Sequence, residues 1–373
     1  MKLEIKQNIL IEHLNYVIRG ISNKNIIPVL NCIKFDLTND GLYLMSTDNE
    51  IAIQTFIPSS QIENIDKCGT VVVSGRYIYE IVRKLPNELI TIEEVVDNKI
   101  FITTTNTSFN LNCNSADEFP ILDLNDHKNP IYIDKKIFKN IIKQTAFATS
   151  TQESRPVLTG LNFKIVGNTL ECTGTDSYRL AKTSIEIQNI VEETINIIVP
   201  TKNLNELVKM INDEDGIIAL HIFNNKMLFK FDSIIMMSRL INGTYPDTSK
   251  LIPTEFLISM KVNMMNFYNS IDRASLLTNE ADKNTIKLES NHNSIIVSSN
   301  IPEIGNVEET LEVMKETADD IKIAFSSKYM IDALRALESE EVELLFNSEV
   351  KPIIIRNPEN HNLIQLILPI RTY

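Results

Sequence analysis

The 373-residue chain contains no tryptophan, only 10 glycines and only 4 cysteines. The cysteines, Cys32, Cys68, Cys113 and Cys172, lie tens of residues apart, so the sequence has no CxxC pair of the kind that binds zinc or exchanges disulfides. Free cysteine is among the most frequently buried residue types. We therefore expect four free thiols that are buried or half-buried in strands.

Long apolar runs are also absent. No run approaches the roughly 20 residues that a membrane-spanning helix needs, and Met1–Lys6 alternates like a strand instead of forming the apolar core of a secretion signal. With 43% apolar and 23% charged residues, the composition is typical of a globular protein. We predict a cytoplasmic location.

The sequence lacks the short motifs of several enzyme classes. It has no GxxxxGK(S/T) phosphate loop, no GxSxG nucleophile turn and no HExxH zinc motif. Its five histidines, His13, His127, His221, His292 and His361, are isolated from one another and form no metal-ligand pattern. We therefore predict no catalytic site, no metal site and no cofactor.

The chain does contain a threefold repeat. Ser74–Leu85 is predicted to be a short amphipathic helix after an apolar strand, and the same pattern returns at Pro200–Ile211 and at Ser326–Leu337, with a spacing of 126 residues each time. A chain of this length is expected to form two or three domains. The repeat favours three.

Asp48 and Asp176 occupy the same place in the first two copies, and the third copy has no recognisable counterpart in the sequence. Two carboxylates could belong to a dispersed enzyme site. Their equivalence instead favours a structural turn or a cap at a strand end, where an aspartate accepts hydrogen bonds from nearby backbone N–H groups.

Each copy alternates helical and β-rich segments, which predicts an α+β fold of three similar domains in tandem. We predict domains at residues 1–126, 127–252 and 253–373, with boundaries in polar, proline-containing stretches. The predicted helices span residues 7–22, 75–85, 134–149, 201–211, 261–277 and 327–337.

The net charge of −13 argues against a nucleic-acid partner, but the charge is not evenly distributed. The six predicted helices hold 14 basic and 6 acidic residues, a net +8, which leaves −21 for the rest of the chain. An acidic protein with basic helices can still present a basic surface to phosphates.

Several motifs together resemble the β subunit of bacterial DNA polymerase III, the sliding-clamp family. They are Ser154–Gly160, the stretch Thr175-Asp176-Ser177-Tyr178-Arg179-Leu180, Asn242–Asp247 and the terminal Leu366–Tyr373. The resemblance covers the whole chain, and the family assignment rests on this combination.

The resemblance implies a DNA-replication processivity factor without a catalytic site, acting as a subunit of the polymerase holoenzyme. It implies a head-to-tail homodimer that forms a ring of six domains, with two helices of each domain inside and the sheets outside, around duplex DNA of any sequence. The implied partners are the polymerase III α subunit and other polymerases, through short linear peptides, and the clamp loader complex. No membrane partner is implied.

The resemblance also implies a partner-peptide pocket between the second and third domains. Its matching residues are Leu158, Thr175, Ser177, Tyr178, Arg179, Leu180, Pro246, Lys250, Leu251, Ser326, Tyr329, Met330, Val350, Pro352, Leu366, Leu368, Pro369, Ile370 and Arg371. Ser177-Tyr178 stands where many relatives have Gly-His, and Lys250 where they have Arg, so we expect a different peptide preference.

Two further sites follow from the resemblance. The DNA-binding positions match Lys24, Arg76, Gln152, Arg155 and Lys202. The dimer interface matches Phe109 and Leu111 in the first domain with Leu276 and Leu277 in the third. Pro156-Val157 stands where some relatives have tyrosines, so we expect no aromatic DNA contact from the loop that contains Gln152 and Arg155.

Two other readings of the repeat stay open at this point. A scaffold that binds only proteins would have no affinity for DNA at any ionic strength. A nuclease or nucleotide hydrolase with a dispersed site would show Mg²⁺-dependent turnover that is lost when Asp48 or Asp176 is replaced.

Overall fold

The computed structural model describes residues 1–22, 26–95, 98–127, 129–317 and 319–371. Within these ranges a strand, a helix, a series of strands, a second helix and three strands follow one another three times, as the sequence repeat predicts. The series between the helices has two long strands in the second succession and five strands in the other two. We number strands and helices in chain order and call the three successions the first, second and third repeats.

The first repeat consists of β1 Lys2–Lys6, α1 Gln7–Val17, β2 Cys32–Leu37, β3 Gly41–Thr47, β4 Ile51–Pro58, β5 Asn64–Lys67, β6 Gly69–Ser74, α2 Gly75–Lys84, β7 Leu89–Val95, β8 Lys99–Thr103 and β9 Ser108–Asn114. The second consists of β10 Ile131–Asp134, α3 Lys135–Ala146, β11 Gly160–Thr175, β12 Arg179–Pro200, α4 Thr201–Met210, β13 Ile217–Ile222, β14 Lys226–Phe231 and β15 Ile234–Arg239. The third consists of β16 Ile258–Asn263, α5 Met264–Ser275, β17 Thr285–Asn291, β18 Ser294–Ile301, β19 Gly305–Glu312, β20 Met314–Lys315, β21 Lys322–Ser326, α6 Ser327–Arg335, β22 Glu341–Phe346, β23 Ile353–Asn357 and β24 Asn360–Ile367.

All six predicted helices are present, but their predicted bounds were too wide. The error at the start of 261–277 has a clear cause, because Lys261, Val262 and Asn263 pair with β22 as the end of β16. The side-chain oxygen of Asn263 accepts a hydrogen bond from Asn266 N at 2.9 Å and so caps α5. The apolar spacing does not reveal this boundary, whereas the cap and the strand pairing define it.

Antiparallel pairing joins consecutive repeats at two places. At the first internal joint, β4 pairs with β15, with Ile51 opposite Ser238. At the second internal joint, β12 pairs with β24, with Arg179 opposite Ile367. In both joints a strand of one repeat pairs with the last strand of the next repeat.

Contacts divide the chain into two compact units, Met1–Lys136 with Glu206–Leu240, and Ile137–Asn205 with Ile241–Tyr373. The first holds a 13-stranded sheet that includes the first internal joint, and the second holds sheets of 7 and 4 strands. Because strand pairing crosses the boundaries between repeats, this division does not test the predicted domain limits, which remain a prediction.

Each repeat buries its apolar helix faces against its strands. In the third repeat, Phe267 of α5 and Met330 of α6 are fully buried in one cluster with Phe325 and Leu344. Among the described residues, no helix is both long and apolar enough to cross a bilayer.

The four cysteines are free, as expected. Cys32 and Cys172 are buried and Cys113 is half-buried, but Cys68 is exposed, so the expectation of burial was wrong there. Cys68 directly precedes β6, outside the regular strand pairing that buries alternate side chains. Burial raises the pKa of Cys113 to about 11 and of Cys172 to about 12, which keeps both thiols protonated at neutral pH.

Candidate partner pocket and nucleic-acid interface

The predicted pocket centres on the turn between β11 and β12, where Asp176 organises the backbone. Its Oδ1 atom accepts hydrogen bonds from Tyr178 N at 2.9 Å and Arg179 N at 3.0 Å. Thr175 Oγ1 donates to the carbonyl of Arg179 at 2.6 Å. Ser177 has φ 79°, a left-handed conformation that favours glycine.

The turn between β3 and β4 repeats this arrangement. Asp48 Oδ1 accepts from Glu50 N and Ile51 N, both at 3.0 Å, and Thr47 Oγ1 donates to the carbonyl of Ile51 at 2.8 Å. Asn49 has φ 75°, matching Ser177. The prediction that Asp48 and Asp176 are turn residues is therefore confirmed.

The third repeat has the corresponding turn between β18 and β19, where Ile301 lies opposite Gly305. The residues of this turn, Pro302, Glu303 and Ile304, include no aspartate. Instead, Ile304 N donates to the carbonyl of Ile301 at 2.9 Å, so this copy of the turn closes with a backbone hydrogen bond. The missing aspartate explains why the sequence pattern had no recognisable third member.

Arg179 links the turn to the third repeat. Its Nε atom donates to Asp176 Oδ2 at 3.1 Å, and its Nη1 atom donates to Asp332 Oδ2 at 2.6 Å. The guanidinium also lies over two rings, 4.5 Å from the centroid of Tyr329 and 5.3 Å from that of Phe147. Only 10% of the Arg179 side chain is exposed, so these four groups hold it in place.

Asp332 and Phe147 are absent from the predicted pocket, although both hold Arg179. The sequence does contain a signal for Asp332, which lies 126 residues after Glu206 at the same place in the repeat. For Phe147 no signal is visible, because nothing in its neighbourhood distinguishes it from a core residue.

Two apolar clusters lie below the turn. Leu180 and Leu366 are buried together in one cluster with Ile354. Leu158 and Tyr245 are buried in another, and the hydroxyl of Tyr245 accepts a hydrogen bond from Thr175 N at 3.0 Å. Burial raises the pKa of Tyr245, which keeps its hydroxyl protonated.

The predicted pocket residues fall into three groups by exposure. Those that are buried are Leu158, Thr175, Leu180, Ser326, Met330 and Leu366. Those that are half-buried are Arg179, Tyr329, Pro352, Pro369 and Ile370. Those with exposed side chains are Ser177, Tyr178, Pro246, Lys250, Leu251, Val350, Leu368 and Arg371. The buried group supports the predicted site, and the exposed group presents most of its open surface.

Backbone hydrogen bonds hold the last described residues of the chain against the second and third repeats. Leu368 N donates to the carbonyl of Tyr178 at 2.9 Å, and Ile370 N donates to the carbonyl of Ala324 at 2.7 Å. Leu368 and Tyr178 are therefore neighbours, with 37% and 60% of their surfaces exposed.

Three of the predicted pocket residues lie at its margin. Lys250 and Leu251 belong to a 3-10 turn directly before Ile252, which packs against the Leu180 cluster. Val350 lines a separate cavity of about 500 Å³ with Leu257 and Asn347.

The predicted DNA-binding residues have unequal support. Lys24 lies outside the described residues, whereas Arg76, Gln152, Arg155 and Lys202 have exposed side chains. Arg155 Nη1 donates to Ser177 Oγ at 3.2 Å, so a residue predicted to bind DNA contacts the turn of the predicted pocket.

The positive charge of the helices is less available than the count indicated. Lys135 is buried, and its Nζ atom contacts Asp232 at 2.9 Å and Asn212 at 3.1 Å. Lys136 is paired with Asp215 at 2.6 Å. Sequence counting weights all cations equally and cannot recognise such neutralised ones. Among the described residues, no cluster of His, Cys, Asp and Glu could hold a metal ion.

The predicted dimer residues lie on two separate elements. Phe109 and Leu111 are on β9, where 39% of Phe109 is exposed, and Leu276 and Leu277 follow α5, where 79% of Leu276 is exposed.

Comparison with known proteins assigns the chain to a family. It matches the DNA polymerase III beta subunit over all three of its family domains, the N-terminal domain at residues 1–123, the central domain at 132–247 and the C-terminal domain at 249–371. The chain belongs to the DNA polymerase III beta subunit family. Its expected α+β fold of three tandem clamp domains is thereby confirmed.

Individual relatives agree with this assignment over their full lengths. The chain is 38% identical to the beta sliding clamp of Bacillus subtilis and 39% identical to that of Staphylococcus epidermidis, with 100% of both chains covered in each case. The DNA polymerase sliding clamp structure from Bacillus subtilis superposes with a TM-score of 0.95 at 38% identity, and the beta subunit structure from Streptococcus pyogenes with 0.95 at 31%, again over 100% of each chain.

The family assignment confirms two predictions about function. The chain is a processivity factor of DNA replication, and it is not itself an enzyme. This removes the hydrolase alternative, in agreement with the structural role of Asp48 and Asp176 described above.

Proposed function

We propose that two copies of this chain close head to tail into a six-domain ring around duplex DNA, with the helices inside, and tether the replicative polymerase to its template. The observation that carries this proposal is the pair of open sheet edges left by the repeat. Each internal joint pairs a strand from the middle of one repeat with the last strand of the following repeat. The third repeat has no following repeat and the first has no preceding one, so in a single chain one middle strand and one last strand lack this partner.

The unmatched strands are β19 in the third repeat and β9 in the first. Along Ser108–Asn112, β9 pairs only with β8 among the described strands, and β19 pairs only with β18. By position, β19 corresponds to β4 and β12, and β9 corresponds to β15 and β24. Pairing of β19 with β9 of another copy, which we call the seam, would reproduce the internal joints and satisfy both edges.

The internal joints also supply a register for the seam. When the pairing of the last two strands is compared between repeats, Leu111 of β9 occupies the position that Ser238 has in β15 and Ile367 has in β24. Ser238 lies opposite Ile51 and Ile367 lies opposite Arg179, and both Ile51 and Arg179 are the first residues of their strands. Gly305 is likewise the first residue of β19. We therefore propose that Gly305 lies opposite Leu111 of the other copy.

In this register Val307 lies opposite Phe109 of the other copy. In the first internal joint, Phe56 N donates to the carbonyl of Ser233 and Arg239 N donates to that of Glu50. Because hydrogen-bonded and non-hydrogen-bonded pairs alternate, the pair of Ile53 with Met236 is not hydrogen-bonded and its Cβ atoms are close. Phe109, Leu111, Leu276 and Leu277 then form an apolar seam of the kind that obligate dimers use.

For the proposed DNA contact, Arg76, Gln152, Arg155 and Lys202 supply exposed groups, and Lys24 is included by family resemblance. Contacts to phosphates carry no sequence information, so a ring that makes only such contacts can slide. Because chromosomal DNA is the proposed track, we also propose a cytoplasmic location.

For the proposed peptide contact, the exposed Tyr178 and Leu368 border a site whose floor is the buried Leu180 cluster. Short linear peptides from the polymerase III α subunit and from other polymerases are the proposed occupants, inserting apolar anchors. Since the sequence has no ATP-binding loop, a separate clamp loader is the proposed agent of ring opening.

The ring itself is tested by negative-stain projections and a mass measurement at micromolar concentration. A closed ring of pseudo-sixfold outline with twice the 42.5 kDa chain mass supports the proposal. A compact particle without a hole would refute it.

The seam register is tested by cross-linking the variant F109C/V307C, built in a C68S background that removes the exposed thiol. Mild oxidation should yield a covalent dimer, because non-hydrogen-bonded antiparallel neighbours suit disulfide geometry. The control F109C/E308C shifts one thiol to the opposite face of β19 and should not cross-link. Equal cross-linking of both variants would exclude this register.

The pocket is tested by deleting Leu368–Tyr373 and measuring the affinity for a polymerase-derived peptide. We expect binding to be lost while the dimer mass is unchanged. Retained affinity would move the peptide site elsewhere.

The DNA contact is tested by K24A, with K322A as control, since Lys322 is an exposed β21 cation paired with Glu289. K24A should weaken DNA binding and reduce the slope of log K against log salt by about 1, whereas K322A should change neither. No effect of K24A at low salt would argue against Lys24 as a DNA contact, and no DNA affinity at all would favour the protein-only scaffold.

A further inference from the structure

One acidic residue recurs at the same helix position in every repeat. Glu80, Glu206 and Asp332 are the sixth residues of α2, α4 and α6 and are spaced by 126 residues. Each is followed three positions later by a cation: Arg83, Lys209 or Arg335.

In the two internal joints the carboxylate at this position accepts a hydrogen bond from an arginine of the preceding repeat. Glu206 Oε2 accepts from Arg19 Nη1 at 3.1 Å, and Asp332 Oδ2 accepts from Arg179 Nη1 at 2.6 Å. The partners come from different elements, yet the acceptor position is the same. The position is therefore a joint acceptor and is not merely a solvated helix face.

Glu80 has no preceding repeat in its own chain. In the single chain its carboxylate pairs with Arg83 of the same helix, at 2.7 Å, and 40% of the Glu80 side chain is exposed. Glu206 shows that this position can serve two cations at once, since it accepts from Lys209 at 2.6 Å in addition to Arg19. An arginine from another copy can therefore join Glu80 without displacing Arg83.

The cation cannot come from the positions used in the internal joints. Arg19 is the thirteenth residue counted from the start of α1, and the thirteenth from the start of α5 is Leu276. Arg179 opens β12, and the residue that opens β19 is Gly305. Arg273, one helical turn before Leu276, is the candidate that remains on this helix.

The helix position of Arg273 lies against the following repeat at the second internal joint, and at the first it is influenced by acids of the following repeat. It is the tenth residue of α5, as Gln144 is of α3 and Tyr16 is of α1. The carbonyl of Gln144 accepts from Gln365 Nε2 of the third repeat at 3.2 Å. The pKa of Tyr16 is raised by burial, by Glu12 and also by Asp232 and Glu214 of the second repeat.

We propose that Arg273 of one copy pairs with Glu80 of the other across the seam, as the third member of the series begun by the two internal joints. This inference rests on the proposed head-to-tail dimer. In the single chain Arg273 is 57% exposed and is held by Glu309 through two hydrogen bonds of 2.7 and 2.6 Å. Its guanidinium has five N–H donors, so it can contact both carboxylates.

The test is a charge-reversal cycle read by the dimer dissociation constant, for example by sedimentation at several concentrations. R273E and E80R should each raise the constant by about tenfold at low salt, because each places like charges across the seam. The double variant R273E/E80R restores opposite charges and should return to within about threefold of the parent protein. The same reversal at Lys322 and Glu289, an exposed pair within the third repeat, should leave the constant unchanged.

The outcomes separate this inference from the dimer on which it rests. If the double variant raises the dimer dissociation constant by the product of the two single-variant factors, Arg273 and Glu80 are not partners, although the proposed seam is retained. If the parent protein is monomeric at every concentration, the proposed dimer itself fails.

Discussion

The second internal joint and the open edges are built from the same repeat positions but carry different side chains. At the joint, Arg179 is 10% exposed and is held by carboxylates on both sides. At the edges, the equivalent residue is Gly305, and Leu276 is 79% exposed. A joint within one chain can bury a charge among fixed partners. A surface that becomes buried only when two copies associate would have to desolvate its charge at that moment, which is costly unless the charge finds a partner.

The two edges also differ from each other in charge. β19 carries Glu308, Glu309 and Glu312, whereas β9 has the uncharged sequence SFNLNCN. Like charges directly opposite each other destabilise a strand pair, so β19 resists pairing with a second β19. This difference favours the head-to-tail arrangement over a symmetric one.

The strongest test of the comparison is L276D. It places a carboxylate in the proposed apolar seam, and we expect the dimer dissociation constant to rise by about 100-fold or more, since burying an unpaired charge costs several kcal/mol. Sedimentation or mass photometry measures the effect. I190D serves as the control, because Ile190 is 81% exposed on β12 and lies outside the proposed seam. An unchanged dimer would remove Leu276 from the seam.

At the second internal joint, R179M should cost about 2–3 kcal/mol of unfolding free energy, because it leaves Asp176 and Asp332 close together without their cation. R19M should cost at most about 1 kcal/mol. Arg19 and Glu206 are 29% and 25% exposed, and Glu206 keeps Lys209. Urea unfolding of both variants compares the two joints, and equal losses would contradict the importance given to Arg179.

Acid should weaken the first internal joint in particular. His13 is buried and shares a contact of 2.6 Å with Thr55 of β4, which in turn lies 3.4 Å from Ser233 beside β15. Burial lowers the pKa of His13 from 6.5 to about 4. Below about pH 6.5 the unfolded chain therefore binds a proton at His13 that the folded chain does not bind. The free energy of unfolding decreases as the pH falls from about 6.5 toward 4.

This contribution is about 2 kcal/mol at pH 5 relative to neutral pH. H13Q should remove that share of the pH dependence, measured as the difference between urea unfolding at pH 7 and at pH 5. H292Q, at an exposed histidine, should leave the pH dependence unchanged. A parallel pH profile for H13Q and the parent would refute the assignment.

The smallest effects are expected at the two equivalent turns. D48A and D176A should each cost about 1 kcal/mol, since each removes the acceptor for two backbone N–H groups. D48N and D176N keep a side-chain oxygen at the same place and should cost less. Unequal losses between the two alanine variants would show that the neighbouring Arg179 pair, absent at Asp48, adds to the role of Asp176.

The sequence alone determined the threefold repeat, the six helices, the turn role of Asp48 and Asp176 and the family. These rest on local information, because helix periodicity and turn chemistry depend on residues a few positions apart, and a repeat multiplies that evidence. Only the tertiary structure decided that Arg179 meets Asp332 and that Lys135 is buried and neutralised. It also decided that β19 and residues Ser108–Asn112 of β9 each keep an edge that no other described strand covers. Arg179 and Asp332 are 153 residues apart, and such contacts depend on strand pairing between repeats, which no local pattern encodes.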